Sequence, residues 1–205
     1  DPSYKGQIVT MTYPEIGNYG INSEDIESYQ PHVSGFVVHE LSPATSSWRA
    51  EKPLDEYLKT NGIPGVEGID TRALTKKLRV HGVLNGIIST DDITEEEAVK
   101  EAVNWPGMKG TDYAKVVTHK NAFSWDELEQ PNQDFTLPRG AETKTQSSTL
   151  PPAEIPIVVY DYGVKYNILR CLRRLGFNIQ VIPATATSQE ALAYKPACLF
   201  LSNGP

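Results

Sequence analysis

Cysteine side chains are the first candidates for a nucleophile in this sequence. There are two, Cys171 within a predicted helix and Cys198 within a predicted strand. A nucleophilic cysteine needs an exposed position beside a base or a positive dipole, because the thiolate is the reactive form. Neither position offers such surroundings, so both cysteines are predicted to be buried and structural.

Histidine could supply a proton shuttle or a metal ligand. None of the histidines is spaced with another histidine or a cysteine as zinc ligands are, and no Ser-His-Asp arrangement can be argued. We therefore expect solvated or core histidines, with no catalytic residue and no metal ligand among them. The histidines are His32, His39, His81 and His119.

Two predicted turns could approach a ligand. The loop Asp161-Tyr162-Gly163-Val164-Lys165 joins a strand to a helix, whose free N–H groups could hold an anion or a carboxylate. It lacks both the dinucleotide Gly-x-Gly-x-x-Gly pattern and the phosphate-loop Gly-Lys-Ser/Thr pattern. In Ser202-Asn203-Gly204-Pro205, the glycine would let a substrate reach the main chain. Spacing alone favours a plain structural turn at both places.

The elements that must position these turns alternate regularly between residues 156 and 205. Apolar runs at 157–160, 178–182 and 197–201 predict strands, and helical spacing with a stop at Gly176 predicts a helix between the first two. Ser188 is expected to cap the next helix. A βαβαβ series implies a parallel sheet, which binds ligands at the carboxyl ends of its strands.

The earlier part of the chain mixes short strands and helices. Strands are predicted at 7–13, 34–39 and 85–89, and a short helix at 54–60. Asp70 is predicted to cap a helix over 71–80. Thr94 to Glu97 forms a capping box that opens a helix reaching 103.

Composition sets the domain organisation. The polar stretch 137–155 contains Pro151-Pro152 and predicts a linker between a domain at 1–136 and another at 156–205. Both domains are expected to be cut, the first at its start and the second at its end. Lys76, Lys77 and Arg79, and likewise Arg170, Arg173 and Arg174, are expected to line solvated helix faces.

The bulk numbers narrow the classes of partner. A net charge of −7 argues against nucleic acid and anionic membranes, and 39% apolar residues can still supply a core. No apolar run approaches the roughly 20 residues of a membrane span, and the first residues do not show the charged-then-apolar pattern of a leader. A cytoplasmic protein is expected.

Several strings occur in one order along nearly the whole chain. They are Asp1-Pro2-Ser3-Tyr4-x-x-Gln7-Ile8-Val9, Thr12-Tyr13-Pro14-x-Ile16-Gly17-Asn18, Ile69-Asp70-Thr71-Arg72-Ala73-Leu74-Thr75, Tyr160-Asp161-Tyr162-Gly163-Val164-Lys165-Tyr166-Asn167-Ile168-Leu169-Arg170 and Leu201-Ser202-Asn203-Gly204-Pro205. The first three resemble the N-terminal domain of the carbamoyl-phosphate synthetase small chain. The last two resemble the start of its class I glutamine amidotransferase domain.

This resemblance implies a fold and an activity. The fold is α/β: a mixed N-terminal domain followed by the first βαβαβ part of a parallel, Rossmann-like amidotransferase domain. The family hydrolyses L-glutamine and passes ammonia to a large subunit. That subunit uses bicarbonate and ATP to make carbamoyl phosphate for arginine and pyrimidine synthesis. ATP and Mg²⁺ are expected on the large subunit, and no cofactor in this chain.

The resemblance also implies site residues. Ser3 corresponds to a serine that reaches the bound glutamine, and Gly204 to a glycine that lies against it. The family nucleophile lies in a Gly-x-Cys-x-Gly turn, which this sequence lacks. The catalytic cysteine, histidine and glutamate are therefore expected downstream.

Two other classes of function stay open. One is a non-catalytic module that docks a partner subunit and carries a degenerate amidotransferase scaffold. The other is a nucleotide-binding α/β domain, which the missing phosphate loop disfavours.

Overall fold

The protein forms two compact units in a computed structural model that describes residues 1–125 and 150–205. One unit comprises Asp1, Ser3–Ser23 and Gln30–Asp112, and the other comprises Pro2, Glu24–Tyr29 and Tyr113–Pro205. Most of the predicted linker at 137–155 lies outside the described residues. The domain limits at 136 and 156 stay predictions.

Short strands and helices alternate along both units. The strands are β1 (Ile8–Thr10), β2 (Gly35–Val37), β3 (Gly65–Val66), β4 (Phe123–Ser124), β5 (Ile155–Asp161), β6 (Phe177–Pro183) and β7 (Cys198–Leu201). The α-helices are α1 (Leu54–Thr60), α2 (Thr71–His81), α3 (Glu95–Asn104), α4 (Tyr113–Val117), α5 (Tyr166–Arg174) and α6 (Ser188–Ala193). Among the described residues, no helix is both long and apolar enough to cross a bilayer.

The second unit contains a four-stranded sheet in the order β4-β6-β5-β7. β5 pairs in parallel with β6 and with β7, and α5 and α6 provide the connections. This confirms the predicted α/β class and the βαβαβ series. β4 pairs antiparallel with β6 and was not predicted, because two residues carry no periodic signal.

Both faces of the sheet are covered at β5, the strand between β6 and β7, as a parallel sheet requires. Ile157 and Val159 of β5 pack with Leu169 of α5, whereas Val158 faces the opposite way and packs with Ala191 of α6. Successive strand residues point to opposite faces, so a continuous apolar run is needed to fill both layers. That is why the sequence of β5 lacks polar alternation.

The first unit contains a parallel three-stranded sheet in the order β1-β2-β3. The predicted caps are confirmed: the Asp70 carboxylate accepts from the Ala73 N–H, and Thr94 forms a capping box with Glu97. The predicted strand at 85–89 is wrong, since these residues form neither helix nor strand. Its apolar residues lie in a loop, and the side chain of Ile88 lies next to Gly35 of β2.

The cysteine prediction is also wrong, because both thiols are exposed. Cys198 lies on β7, the last strand in the order among residues 1–125 and 150–205, where Leu199 and Leu201 are exposed as well. Cys171 lies on α5 between its buried positions Leu169 and Arg173 and is itself exposed. An apolar sequence identifies a strand but not whether that strand lies at an edge.

In the second basic cluster, Arg174 is exposed as predicted, but Arg170 and Arg173 do not lie on a solvated face. Arg173 is buried and donates to the Pro151 carbonyl over 2.6 Å. The Arg170 guanidinium donates to the Ile26 carbonyl over 2.8 Å and lies 3.7 Å from a carboxylate oxygen of Glu27. Both arginines therefore hold segments of the second unit onto α5.

The cap of α6 provides a test of the local structure. Thr187, and not the predicted Ser188, is the N-cap, because its hydroxyl accepts from the Glu190 N–H and the Glu190 carboxylate accepts from the Thr187 N–H. Thr187→Ala should lower the free energy of unfolding by about 1 kcal/mol, whereas Ser188→Ala should change it little. Urea denaturation of both variants would measure this, and an equal loss in both would contradict the assignment.

Candidate functional site

The carboxylate of Asp161 lies at the carboxyl end of β5 and is almost completely buried, with 1% of the residue exposed. Its Oδ1 accepts from the N–H groups of Gly163 and Val164, over 2.9 and 2.8 Å. Its Oδ2 accepts from the main-chain N–H of His119 over 2.7 Å. A buried charge needs such partners, because leaving it unpaired would cost several kcal/mol.

The imidazole of His119 gives Asp161 a further partner. Its Nδ1 lies 2.7 Å from Oδ2 of Asp161. An ionised carboxylate only accepts hydrogen bonds, so we assign the Nδ1 proton to His119 from this contact. His119 is one of the histidines predicted to be solvated or in the core, and its partner lies 42 residues away in sequence. No local spacing could have indicated the pair.

Tyr166, the first residue of α5, occupies the other nitrogen of the same ring. Its hydroxyl lies 3.2 Å from Nε2 of His119. Burial, followed by the negative charge of Asp161, raises the pKa of Tyr166 to about 12, so the phenol keeps its proton at neutral pH. With a neutral ring, Tyr166 donates to Nε2. The rings of Tyr29 and Phe123 pack on the imidazole, with centroids 4.8 and 4.7 Å away.

The ionised form of Asp161 is favoured in the folded protein. Burial by itself raises the pKa of this carboxyl, but the hydrogen bonds from the His119 side chain and from the N–H groups of Val164, His119 and Gly163 outweigh it. The net result is a lowered pKa. Asp161 is therefore a charged anchor of the turn and not a proton donor at neutral pH.

The N–H groups of the β5–α5 turn, which could have held an external anion, bond to the chain itself. Those of Gly163 and Val164 go to Asp161, and the Lys165 N–H goes to the Asn203 side-chain oxygen over 3.2 Å. The first turn of α5 bonds to Glu27, whose carbonyl and carboxylate accept from Tyr166 and Asn167 over 3.0 and 2.8 Å. The prediction of a structural turn is confirmed. The carboxylates that accept from the main-chain N–H groups here, those of Asp161 and Glu27, belong to the chain itself.

The segment after β7 packs against this turn. The Ser202 hydroxyl oxygen accepts from the Tyr162 N–H over 2.9 Å and donates to the Asn203 carbonyl. A Cβ added at Gly204 would lie 2.1 Å from the Tyr162 carbonyl oxygen. Gly204 therefore has to be glycine for internal packing, whatever else approaches it.

The predicted glutamine contacts lie in different units. Ser3 belongs to the first unit, within the 3₁₀ helix Pro2–Tyr4; its N–H donates to the Asp1 carboxylate and its carbonyl accepts from the Gln7 amide. Gly204 belongs to the second unit. Their role in binding glutamine stays a prediction. Among residues 1–125 and 150–205, no group of three or more histidine, cysteine or acidic side chains could hold a metal ion.

Comparisons with known proteins decide the family. Residues 1–88 match the family model for the carbamoyl-phosphate synthase small chain, CPSase domain, and residues 158–205 match the model for glutamine amidotransferase class-I. The chain belongs to the carbamoyl-phosphate synthase small-chain family. This confirms the resemblance seen in the sequence.

Family members from different bacteria align with the whole chain. It is 46% identical over 205 residues to the carbamoyl phosphate synthase small chain of Syntrophotalea carbinolica, covering 100% of this chain and 52% of the relative. For the proteins of the same name from Akkermansia muciniphila and Pseudomonas syringae, the identities are 47% and 44%, over 206 residues each. These alignments cover 100% of this chain and 51% and 52% of the relatives. The chain thus spans about half the length of these small chains.

The buried Asp161 carboxylate makes stability depend on pH in a defined direction. Its contribution is complete above the unfolded-state pKa, about 3.9, and is lost as the pH falls through the lowered pKa of the folded state. Asp161→Asn should lower the free energy of unfolding at pH 7 by roughly 2–4 kcal/mol, because the amide cannot accept all these bonds. The difference from wild type should shrink below about pH 4. Urea denaturation across pH would measure it, with the exposed Asp92→Asn as control; a pH-independent difference would contradict the assignment.

Proposed function

We propose that the protein hydrolyses glutamine to glutamate and ammonia and delivers the ammonia to a large chain. The large chain then makes carbamoyl phosphate from bicarbonate and ATP. Family membership supports this proposal, because the relatives are named carbamoyl phosphate synthase small chains and residues 158–205 match an amidotransferase model. Glutamine is the substrate class to which such a model points.

The observation that carries the proposal is the packing of the Ser202-Asn203-Gly204 segment against the β5–α5 turn. Ligands of parallel α/β sheets bind at the carboxyl ends of the strands, and both segments follow such ends. A Cβ on Gly163 would lie 3.0 Å from Pro2 and 3.3 Å from Pro205. Pro2 and Pro205, which both belong to the second unit, therefore pack at this turn.

Hydrolysis of an amide needs groups beyond those of residues 1–205. A cysteine thiolate would attack the glutamine amide carbon to form a thioester with release of ammonia, and water would then release glutamate. A histidine would move the protons, and main-chain N–H groups would stabilise the oxyanion. Cys171 and Cys198 lack the Gly-x-Cys-x-Gly surroundings, so we assign the nucleophile to neither, although both are exposed.

The same proposal includes the partner chain, the pathway that uses the product and the cellular location. We expect a heterodimer with the large chain, which would hold ATP and Mg²⁺, and a product that supplies arginine and pyrimidine synthesis. Cytoplasmic localisation and the absence of nucleic-acid and membrane partners remain part of this proposal. The acidic net charge of −7 supports the absence of nucleic-acid and anionic-membrane partners.

Ser3 is the first test of the glutamine site. In the full-length protein, Ser3→Ala should raise the KM for glutamine by roughly 5- to 150-fold, because about 1–3 kcal/mol of polar contact would be lost. Steady-state kinetics of ammonia release would measure this, with the exposed Ser46→Ala as control. An unchanged KM and kcat would remove Ser3 from the site.

The 205-residue chain by itself should not hydrolyse glutamine. The reason is that its sequence lacks the Gly-x-Cys-x-Gly turn. Ammonia release should equal the blank, while the full-length protein releases ammonia under the same conditions. Release above the blank from the shorter chain would refute the assignment of the nucleophile to the downstream sequence. A full-length protein without that cysteine would instead support a non-catalytic docking module.

A further inference from the structure

His119 contacts both ends of the turn that joins β5 to α5. One ring nitrogen lies at Asp161, the last residue of β5, and the other at Tyr166, the first residue of α5. We propose that His119 is a positioning residue for glutamine binding, which fixes the turn against which Gly204 packs. This inference rests on the function proposed above and concerns the second unit alone.

The contact with Asp161 is the stronger of the two. The distance from Nδ1 to Oδ2 is 2.7 Å, compared with 3.2 Å from Nε2 to the Tyr166 hydroxyl. Hydrogen bonds to an ionised acceptor are shorter and about twice as strong as neutral ones. The bond therefore orients the carboxylate whose other oxygen receives the N–H groups of Gly163 and Val164.

The position of the turn is transmitted to the expected glutamine contact by main-chain packing. Tyr162 donates its N–H to the Ser202 hydroxyl, and its carbonyl oxygen would lie 2.1 Å from a Cβ on Gly204. Lys165 donates its N–H to the Asn203 side chain. A shift of the turn would thus move Ser202, Asn203 and Gly204 together. A contiguous series of contacts runs from the imidazole of His119 to Gly204.

Charged groups around His119 do not replace Asp161 as its partner. His119 also lines an open cavity of ≈ 540 Å³, together with Lys115, Lys120 and Tyr29. The lysines carry the same sign as a protonated imidazole, and Tyr29 packs its ring on the imidazole. In the part of the chain that the structure describes, Asp161 is the anion in direct contact with the ring. Replacement of His119 should therefore act through Asp161 and the turn.

Two substitutions separate the ends of the imidazole. The amide nitrogen of asparagine reaches the place of Nδ1, whereas that of glutamine reaches the place of Nε2. His119→Asn should keep a donor to Asp161, and His119→Gln should keep only the contact with Tyr166. We expect His119→Ala and His119→Gln to raise the KM for glutamine on the order of tenfold, with kcat changed less than twofold, as for lost ground-state binding. His119→Asn should return KM to within about threefold of wild type.

The measurement uses the full-length protein with its large chain. Glutamine-driven synthesis is compared with synthesis driven by added ammonia, which bypasses the glutamine site. Amide hydrogen exchange at Gly163 and Val164 provides a readout independent of activity. Exchange should be faster in His119→Ala and His119→Gln than in His119→Asn.

Several results would overturn the proposed role of His119. An unchanged KM in His119→Ala would overturn the proposal, and so would a His119→Asn variant no better than His119→Gln. Equal losses of ammonia-driven and glutamine-driven synthesis, with a lowered melting temperature, would show a purely structural role and overturn it too. If the wild-type protein releases no ammonia from glutamine, the proposed function fails. In that case hydrogen exchange still tests the role of His119: equal exchange at Gly163 and Val164 in wild type and His119→Ala would refute the positioning.

Discussion

The second unit depends on one buried charge, the carboxylate of Asp161. Burial removes this charge from water, which costs free energy. Hydrogen bonds from Gly163, Val164 and His119 offset that cost. The two carboxylate oxygens have different tasks. Oδ1 holds the turn that leaves β5, and Oδ2 holds the segment at His119. The end of the strand, the start of α5 and the segment after α4 are therefore fixed by one side chain.

Much of the fold of the second unit follows from local patterns. Apolar runs separated by a helical repeat predict a parallel βαβαβ series, because both faces of such a sheet are covered, and β5 to β7 form it. The same patterns could not show that β7 is the last strand of the sheet formed by the described residues. For that reason the exposure of Cys198 was predicted wrongly. Caps followed the rules closely, apart from the one-residue shift from Ser188 to Thr187.

The candidate site was only partly accessible from sequence. Ser3 and Gly204 were assigned to the site through the family resemblance alone, because no spacing of other residues marks a single serine or glycine as a ligand contact. The structure adds an internal reason for Gly204, its close approach to Tyr162. The contacts made by His119 and Glu27 join residues far apart in the chain, and neither lies in a motif. Such contacts depend on which segments the fold brings together, so they are seen only in the folded structure.

The second unit is discontinuous in sequence, and this has a consequence for its assembly. Glu27 caps α5 through Asn167, and the two residues are 140 positions apart. During synthesis, the segment Glu24–Tyr29 leaves the ribosome long before the helix that it completes. Contacts of such high sequence separation form late and slow the folding of a chain. The second unit is therefore completed only when residues 113–205 meet the earlier Glu24–Tyr29 segment, and an exchange of residues 113–205 between relatives would have to include that segment.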